Sequence, residues 1–177
     1  MDPFTRLGVE KRLTLTEEEL REAFRAAGKA QHPDAGGSNE DFSKLQEAFQ
    51  LLCSPSKRLR AWLAANEISG EERGSISADL VDLFGVVGGV LQRADALTKK
   101  RNATLSALTK AMLEPQVQEA REELEVALEK VSAAFQAQEQ SFAVIENGAA
   151  DPWRTLRDLA FLEKWRAELK NRFAGLW

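Results

Sequence analysis

The chain has 177 residues, 44% hydrophobic and 29% charged, which fits one folded domain or two small ones and excludes a disordered chain. Its formal charge of -4 is mild, with 10 basic against 10 acidic residues up to Asn66 and 14 against 18 beyond it. Nothing in that balance pushes the chain towards nucleic acid or anionic lipid, and a lone cysteine, Cys53, excludes an internal disulfide and a cysteine-built zinc site.

The opening Asp2-Pro3-Phe4, followed by Leu7-Gly8, predicts a short helical turn with one aromatic anchor, since proline fits the first helical position. Nothing in MDPFTRLGVEKR has the basic start and apolar core of a signal peptide. Thr16 with Glu19 three residues on forms a capping box for the next helix. That helix places Leu20, Phe24 and Ala27 on one side and Arg21, Arg25 and Lys29 on another, and it should stop at Gln31 or His32, before Pro33. Gly36-Gly37 and Ser38-Asn39 then make a loop. A second helix, from Asn39 or Glu40 to Ser54-Pro55, carries Phe42, Leu45, Phe49 and Leu52 as a stripe to pack against the first. Together they predict an antiparallel hairpin, closed by a short helix from Ser56 to about Asn66 that offers Leu59, Trp62 and Leu63.

The polar stretch 66–77, NEISGEERGSIS, is the best domain boundary. The expected division is therefore 1–66, a linker at 67–77, and a helical bundle over 78–177. Its first helix runs from Asp79 to about Leu97, and Lys99-Lys100-Arg101 reads as solvated surface. The apolar patch LVDLFGVVGGVL at 80–91 is broken by Asp82 and falls short of the roughly 20 residues that a bilayer crossing needs. GVVGG at 85–89 lacks the strand and lysine of a phosphate site; Gly88 and Gly89 admit a close helix or mark a kink. Residues 100–147 carry a stripe through Val117, Ala120, Leu124, Leu128, Val131, Phe135, Gln138, Phe142 and Ile145, with Pro115 expected to divide the region because an interior proline costs roughly 3 kcal/mol. Gly148 stops this helix, and Asp151-Pro152 caps a last one facing inwards with Leu156, Leu159, Leu162, Leu169 and Phe173. The fold class is all-α: a helical hairpin with flanking short helices, then a bundle of three or four helices.

Catalysis is not expected. His32 is the only imidazole, no third group orients it, and one histidine with one cysteine gives no metal-ligand spacing. No catalytic residue, cofactor or metal site is therefore assigned, which leaves binding. His32-Pro33-Asp34 follows directly on a helix carrying a basic face. Pro33 fixes its own φ near about -65°, and the Asp34 carboxylate can cap amides or pair with a partner's arginine.

Residues 2–62 resemble the J-domain of DnaJ-type Hsp70 co-chaperones. The matching elements are Asp2-Pro3-Phe4 with Leu7-Gly8-Val9, then Leu20, Arg21, Ala23, Phe24 and Arg25, then His32-Pro33-Asp34 with Gly36-Gly37. They continue through Phe42, Leu45, Gln46-Glu47-Ala48-Phe49 and Leu52 to Ser54-Pro55 and Lys57-Arg58. The resemblance implies a hairpin that docks on an ATP-loaded Hsp70-family ATPase of the DnaK or HscA type. His32, Pro33 and Asp34 would be the loop that stimulates the partner's hydrolysis, Arg21, Arg25 and Lys29 the attractive face, and Phe24, Leu45 and Phe49 the core. The link over 10–16 and the segment 155–166 are also similar to the HscB co-chaperones, in which a C-terminal bundle binds the iron–sulfur scaffold IscU. Carried over, Phe161 with Leu80, Leu83 and Phe84 would bind the client. Gln31 and Ala30 stand where the family has an aromatic and a lysine, so a J-like adaptor without ATPase stimulation stays open, as do another client and pairing of two copies through 80–91. The expected compartment is the cytoplasm, with no nucleic-acid or membrane partner.

Overall fold

The structure, a computed structural model, describes residues 1–31 and 38–177. Its helices are α1 (Pro3–Leu7), α2 (Glu17–Gln31), α3 (Asn39–Cys53), α4 (Pro55–Ala65), α5 (Ala78–Asn102), α6 (Ala107–Gln140), α7 (Phe142–Glu146) and α8 (Pro152–Gly175). The described residues contain no strand, so the all-α expectation holds. The helices are grouped into two compact units, residues 1–74 with 139–157 and residues 75–138 with 158–177. One division falls inside the expected boundary at 67–77. The other two, after Gln138 and after Arg157, follow no sequence punctuation and place 139–157 with the N-terminal residues.

In the first unit, the local chemistry read from the sequence sets the helix ends. The Asp2 carboxylate accepts from the Thr5 amide at 2.9 Å, and Pro3 follows in the first turn. That amide, then the Thr5 hydroxyl and Lys11, hold the Asp2 carboxyl at about 2, well below its usual range, against the opposing pull of desolvation. Gly8 closes α1 at φ 75°, a left-handed conformation that disfavours a side chain. The capping box forms reciprocally: the Thr16 amide donates to Glu19 at 2.8 Å and the Glu19 amide to the Thr16 hydroxyl at 3.2 Å. Ser38 caps α3 by accepting from the Asp41 amide at 3.0 Å.

The core of this unit holds Phe4, Leu7, Leu13, Leu20, Leu45, Leu52, Leu59 and Leu63, all essentially inaccessible. Phe24 stacks on Phe49 with ring centroids 4.7 Å apart and lies 6.2 Å from Phe42, so the apolar faces of α2 and α3 meet as the spacing predicts. α4 closes the hairpin: Leu59 and Leu63 are buried, and the Trp62 indole donates to the Lys11 carbonyl at 3.1 Å.

Residues 139–157 are tied to this core by polar and aromatic contacts. The Leu13 amide donates to the Glu146 carboxylate. The buried Arg58 donates to the Leu15 carbonyl at 2.6 Å, faces Glu139 at 3.6 Å, and lies over the Phe142 ring at 5.5 Å. Burial presses the pKa of this guanidinium below its ordinary value, with Glu139 opposing. Arg157 donates to the Glu71 carbonyl at 2.9 Å, and Gly70 passes so near Trp153 that a Cβ there would meet the indole nitrogen at 1.9 Å.

The second unit is built on α5, α6 and α8. Ser77 donates through its amide to the buried Asp158 at 2.9 Å, Phe84 meets Trp165, Arg172 pairs with Asp95 at 2.9 Å, and Arg101 reaches the Leu176 carbonyl at 3.1 Å. Those pairings rise together in number, so α5 and α8 run parallel. Arg93 with Glu123, Arg166 over Phe135 and Arg121 with the Leu176 carbonyl fall in opposite order, so α6 runs antiparallel to both. The bundle thus has three helices.

Several expectations on this half need correction. Pro115 lies within α6 and does not divide it. Its side chain is exposed, while Leu113 and Val117 on either side are buried. Packing on both sides holds the helix through the lost hydrogen bond and the ring's clash with the preceding turn, which together cost roughly 3 kcal/mol. The long helix ends at Gln140, before Gly148, and Gly148 at φ 72° instead terminates α7. α5 continues to Asn102, past Leu97. Ala127 is buried and Leu128 only half-buried, a shift of one residue around the helix. Nothing lies within 4 Å of a Cβ built at Gly88, and α5 continues through it, so no helix makes its close approach there.

Candidate functional site

The outer face of α2 presents Arg21, Arg25 and Lys29 at intervals of four residues, which stacks them in one row on the side opposite Leu20. All three are exposed. Arg21 is held by Glu17 one turn earlier, and the Arg25 Nε donates to the Arg21 carbonyl at 3.3 Å. Lys29 makes no ion pair among the described residues. Beside this row a groove of about 650 Å³ opens, lined by Phe24, Gly28 and Phe42 with Arg25 and Lys29 at its edge. His32, Pro33 and Asp34 lie outside the described residues, as does Gly36-Gly37.

The four residues assigned to the client differ in placement. Phe84 is 56% exposed and Phe161 40%, and each ring packs against the buried Trp165, at 5.8 Å and 5.9 Å between centroids. Leu83 is half-buried, and Leu80 is buried in the bundle core, where it can only support the face. Val81 joins the exposed side. Two aromatic rings thus stand on the surface over a third, rigid aromatic. Sequence reading did not single out Trp165; its spacing of four from Phe161 was the available signal.

Nothing described here makes Cys53 a good nucleophile. Desolvation pushes its thiol upwards, with the Glu17 charge adding to it, so the thiolate is disfavoured at neutral pH.

Residues 2–60 match the family model of the DnaJ domain, and this part of the chain is a DnaJ domain. The Chaperone protein dnaJ A6 of Oryza sativa subsp. japonica is 44% identical over 52 residues, which are 29% of this chain and 12% of that protein. The Chaperone protein DnaJ of Caldicellulosiruptor bescii is 39% identical over 61 residues, 32% of this chain and 15% of that one. The chain therefore spans a small part of the curated relatives that it matches. Over its whole length it shares the fold of Chaperone HscB from Vibrio cholerae, with a TM-score of 0.62 at 20% identity and 100% of both chains covered. The architecture is accordingly a DnaJ domain followed by a C-terminal helical bundle of the HscB type.

Proposed function

We propose that the chain is an Hsp70 co-chaperone: its DnaJ domain docks on an ATP-loaded Hsp70 and accelerates hydrolysis, and its bundle presents a client. The observation that carries this reading is the basic row Arg21, Arg25 and Lys29 on the free face of α2, in a domain matched to the DnaJ family. Such a row steers encounter with an acidic surface and fixes the orientation of docking. Hydrolysis belongs to the partner. The co-chaperone contributes by binding the Hsp70 state on the way to hydrolysis more tightly than the resting state, which is the only way a bound protein can shift that step. His32, Pro33 and Asp34 are the proposed stimulating residues, by their match to the family's tripeptide. The test is single-turnover ATP hydrolysis by a purified Hsp70 with and without the full chain. Acceleration supports the reading; an unchanged rate leaves an adaptor.

For the client we propose an iron–sulfur assembly scaffold of the IscU type, received on Phe84 and Phe161. An exposed aromatic pair on a packed base is the form that a binding hot spot takes. Retention of a purified IscU-type scaffold on the immobilised chain is expected, and Phe161→Ala is expected to weaken it by about 2 kcal/mol or more, roughly 30-fold. Equal retention by the variant, or none by the wild type, removes the scaffold assignment while leaving the Hsp70 reading intact.

A further inference from the structure

A second apolar surface lies where α5 turns into α6, and neither proposed partner uses it. Every residue from 105 to 112 is exposed. Leu105 is 98% accessible, Leu108 73% and Met112 70%. Leu108, Ala111, Met112 and Pro115 follow the i, i+3, i+4, i+7 rule, so α6 carries an outward apolar stripe in addition to the inward one through Leu113, Val117 and Ala120. An outward stripe of large aliphatic side chains costs solubility and contributes nothing to the core. It therefore asks for an occupant.

The charges around it say which. Residues 96–113 contain Lys99, Lys100, Arg101 and Lys110 and no acidic residue, in a chain that is otherwise net acidic. Lys99, Lys100 and Lys110 are exposed and form no ion pair among the described residues. Arg101 is half-buried and donates to the Leu176 and Trp177 main-chain oxygens, so it is already engaged within the bundle. The result is an exposed apolar tip with two unpaired cations, Lys99 and Lys100, at the end of the helix that leads into it. We propose that this end of the bundle docks on an anionic lipid surface, with Leu105, Leu108 and Met112 entering the acyl boundary and the exposed Lys99 and Lys100 meeting the headgroups.

The arrangement fits a leaflet better than a protein groove. The most accessible aliphatic, Leu105, stands in the connection before α6 rather than on the helical stripe, so the exposed apolar side chains are not confined to one helix face. A fluid interface takes such a spread without a matching cavity, and its two layers, charged outside and apolar within, reproduce the order of charge and apolar side chain on the tip. The net acidic remainder of the chain does not oppose this strongly, because repulsion from a charged surface is screened beyond about 8–10 Å at physiological salt.

The test is flotation of the full chain with vesicles of phosphatidylcholine alone and of phosphatidylcholine with phosphatidylglycerol. Retention on the anionic vesicles only is expected, weakened by added salt. Lys99→Ala/Lys100→Ala should lower the partition coefficient roughly 30-fold and Leu105→Ser/Leu108→Ser at least about tenfold. Both variants alter exposed side chains, and their melting transitions should match that of the wild type. No retention on anionic vesicles, or undiminished retention of the leucine variant, overturns the proposal. A dimer in solution that the leucine variant abolishes, without vesicle binding, overturns it in favour of a second copy of the chain.

Discussion

Replacing His32 by glutamine is expected to return single-turnover ATP hydrolysis by the Hsp70 partner to its unassisted rate. A co-chaperone accelerates a step inside another protein only through contacts that are stronger on the way to hydrolysis than before it. Contacts made by one compact, desolvated polar group are of the size needed, since truncating such a group costs about 2–5 kcal/mol, or roughly 30-fold and upwards. Glutamine keeps the size and polarity of the side chain but removes the imidazole, so the basic row on α2 still steers the encounter. The expected signature is therefore a lost rate enhancement with partner binding largely kept. A variant that accelerates hydrolysis as well as the wild type shows that the tripeptide is not the stimulating element of this chain.

Phe142→Ala is expected to destabilise the N-terminal unit by about 3–5 kcal/mol, the range for truncating a fully buried aromatic, and to lower Tm by roughly 10 °C or more. Phe142 is buried although it lies some eighty residues beyond the end of the DnaJ domain. The Arg58 guanidinium lies over its ring, and loss of the ring leaves a buried cation facing a void, with Glu139 at 3.6 Å and the carboxylate of Glu146 as opposing charges. Hydrogen exchange locates the damage. Faster exchange is expected in α4, whose Arg58 lies over the Phe142 ring, while the middle of α5 keeps its protection. Val144→Ala is the control, since Val144 is exposed and should cost under about 0.5 kcal/mol. Faster exchange confined to α5 would show that 139–157 stabilises the bundle rather than the N-terminal unit.

The first of these units was legible in the sequence because its signals are local. A capping box, a proline at a first turn and two stripes of matched spacing each act within a few residues, and the structure realises all of them: Thr16 with Glu19, Asp2 with Thr5, Phe24 on Phe49. What failed to show were effects decided at a distance. Pro115 carries a local penalty that only burial on both sides outweighs, and no window of sequence displays that burial. The grouping of 139–157 with the N-terminal residues rests on single side chains meeting across more than eighty residues, such as Glu146 with the Leu13 amide. An apolar stripe continuing from Val117 to Ile145 gives no sign that its last members pack elsewhere. The aromatic face was half legible: Phe84 and Phe161 are exposed, whereas Leu80, at helical spacing from Phe84, turns into the core.

Titration of an Hsp70 with the full chain, in the ATP and the ADP states and across a range of salt, bears most directly on the claim that the α2 face is a docking surface. Wild type should bind the ATP state preferentially and more weakly as salt rises, and Arg21→Glu/Arg25→Glu should reduce that binding about 30-fold or more while costing the fold roughly 1–1.5 kcal/mol, from the lost Arg21–Glu17 pair and the like charges then placed four residues apart. Binding that is indifferent to nucleotide, to salt and to reversal of these two charges would contradict it.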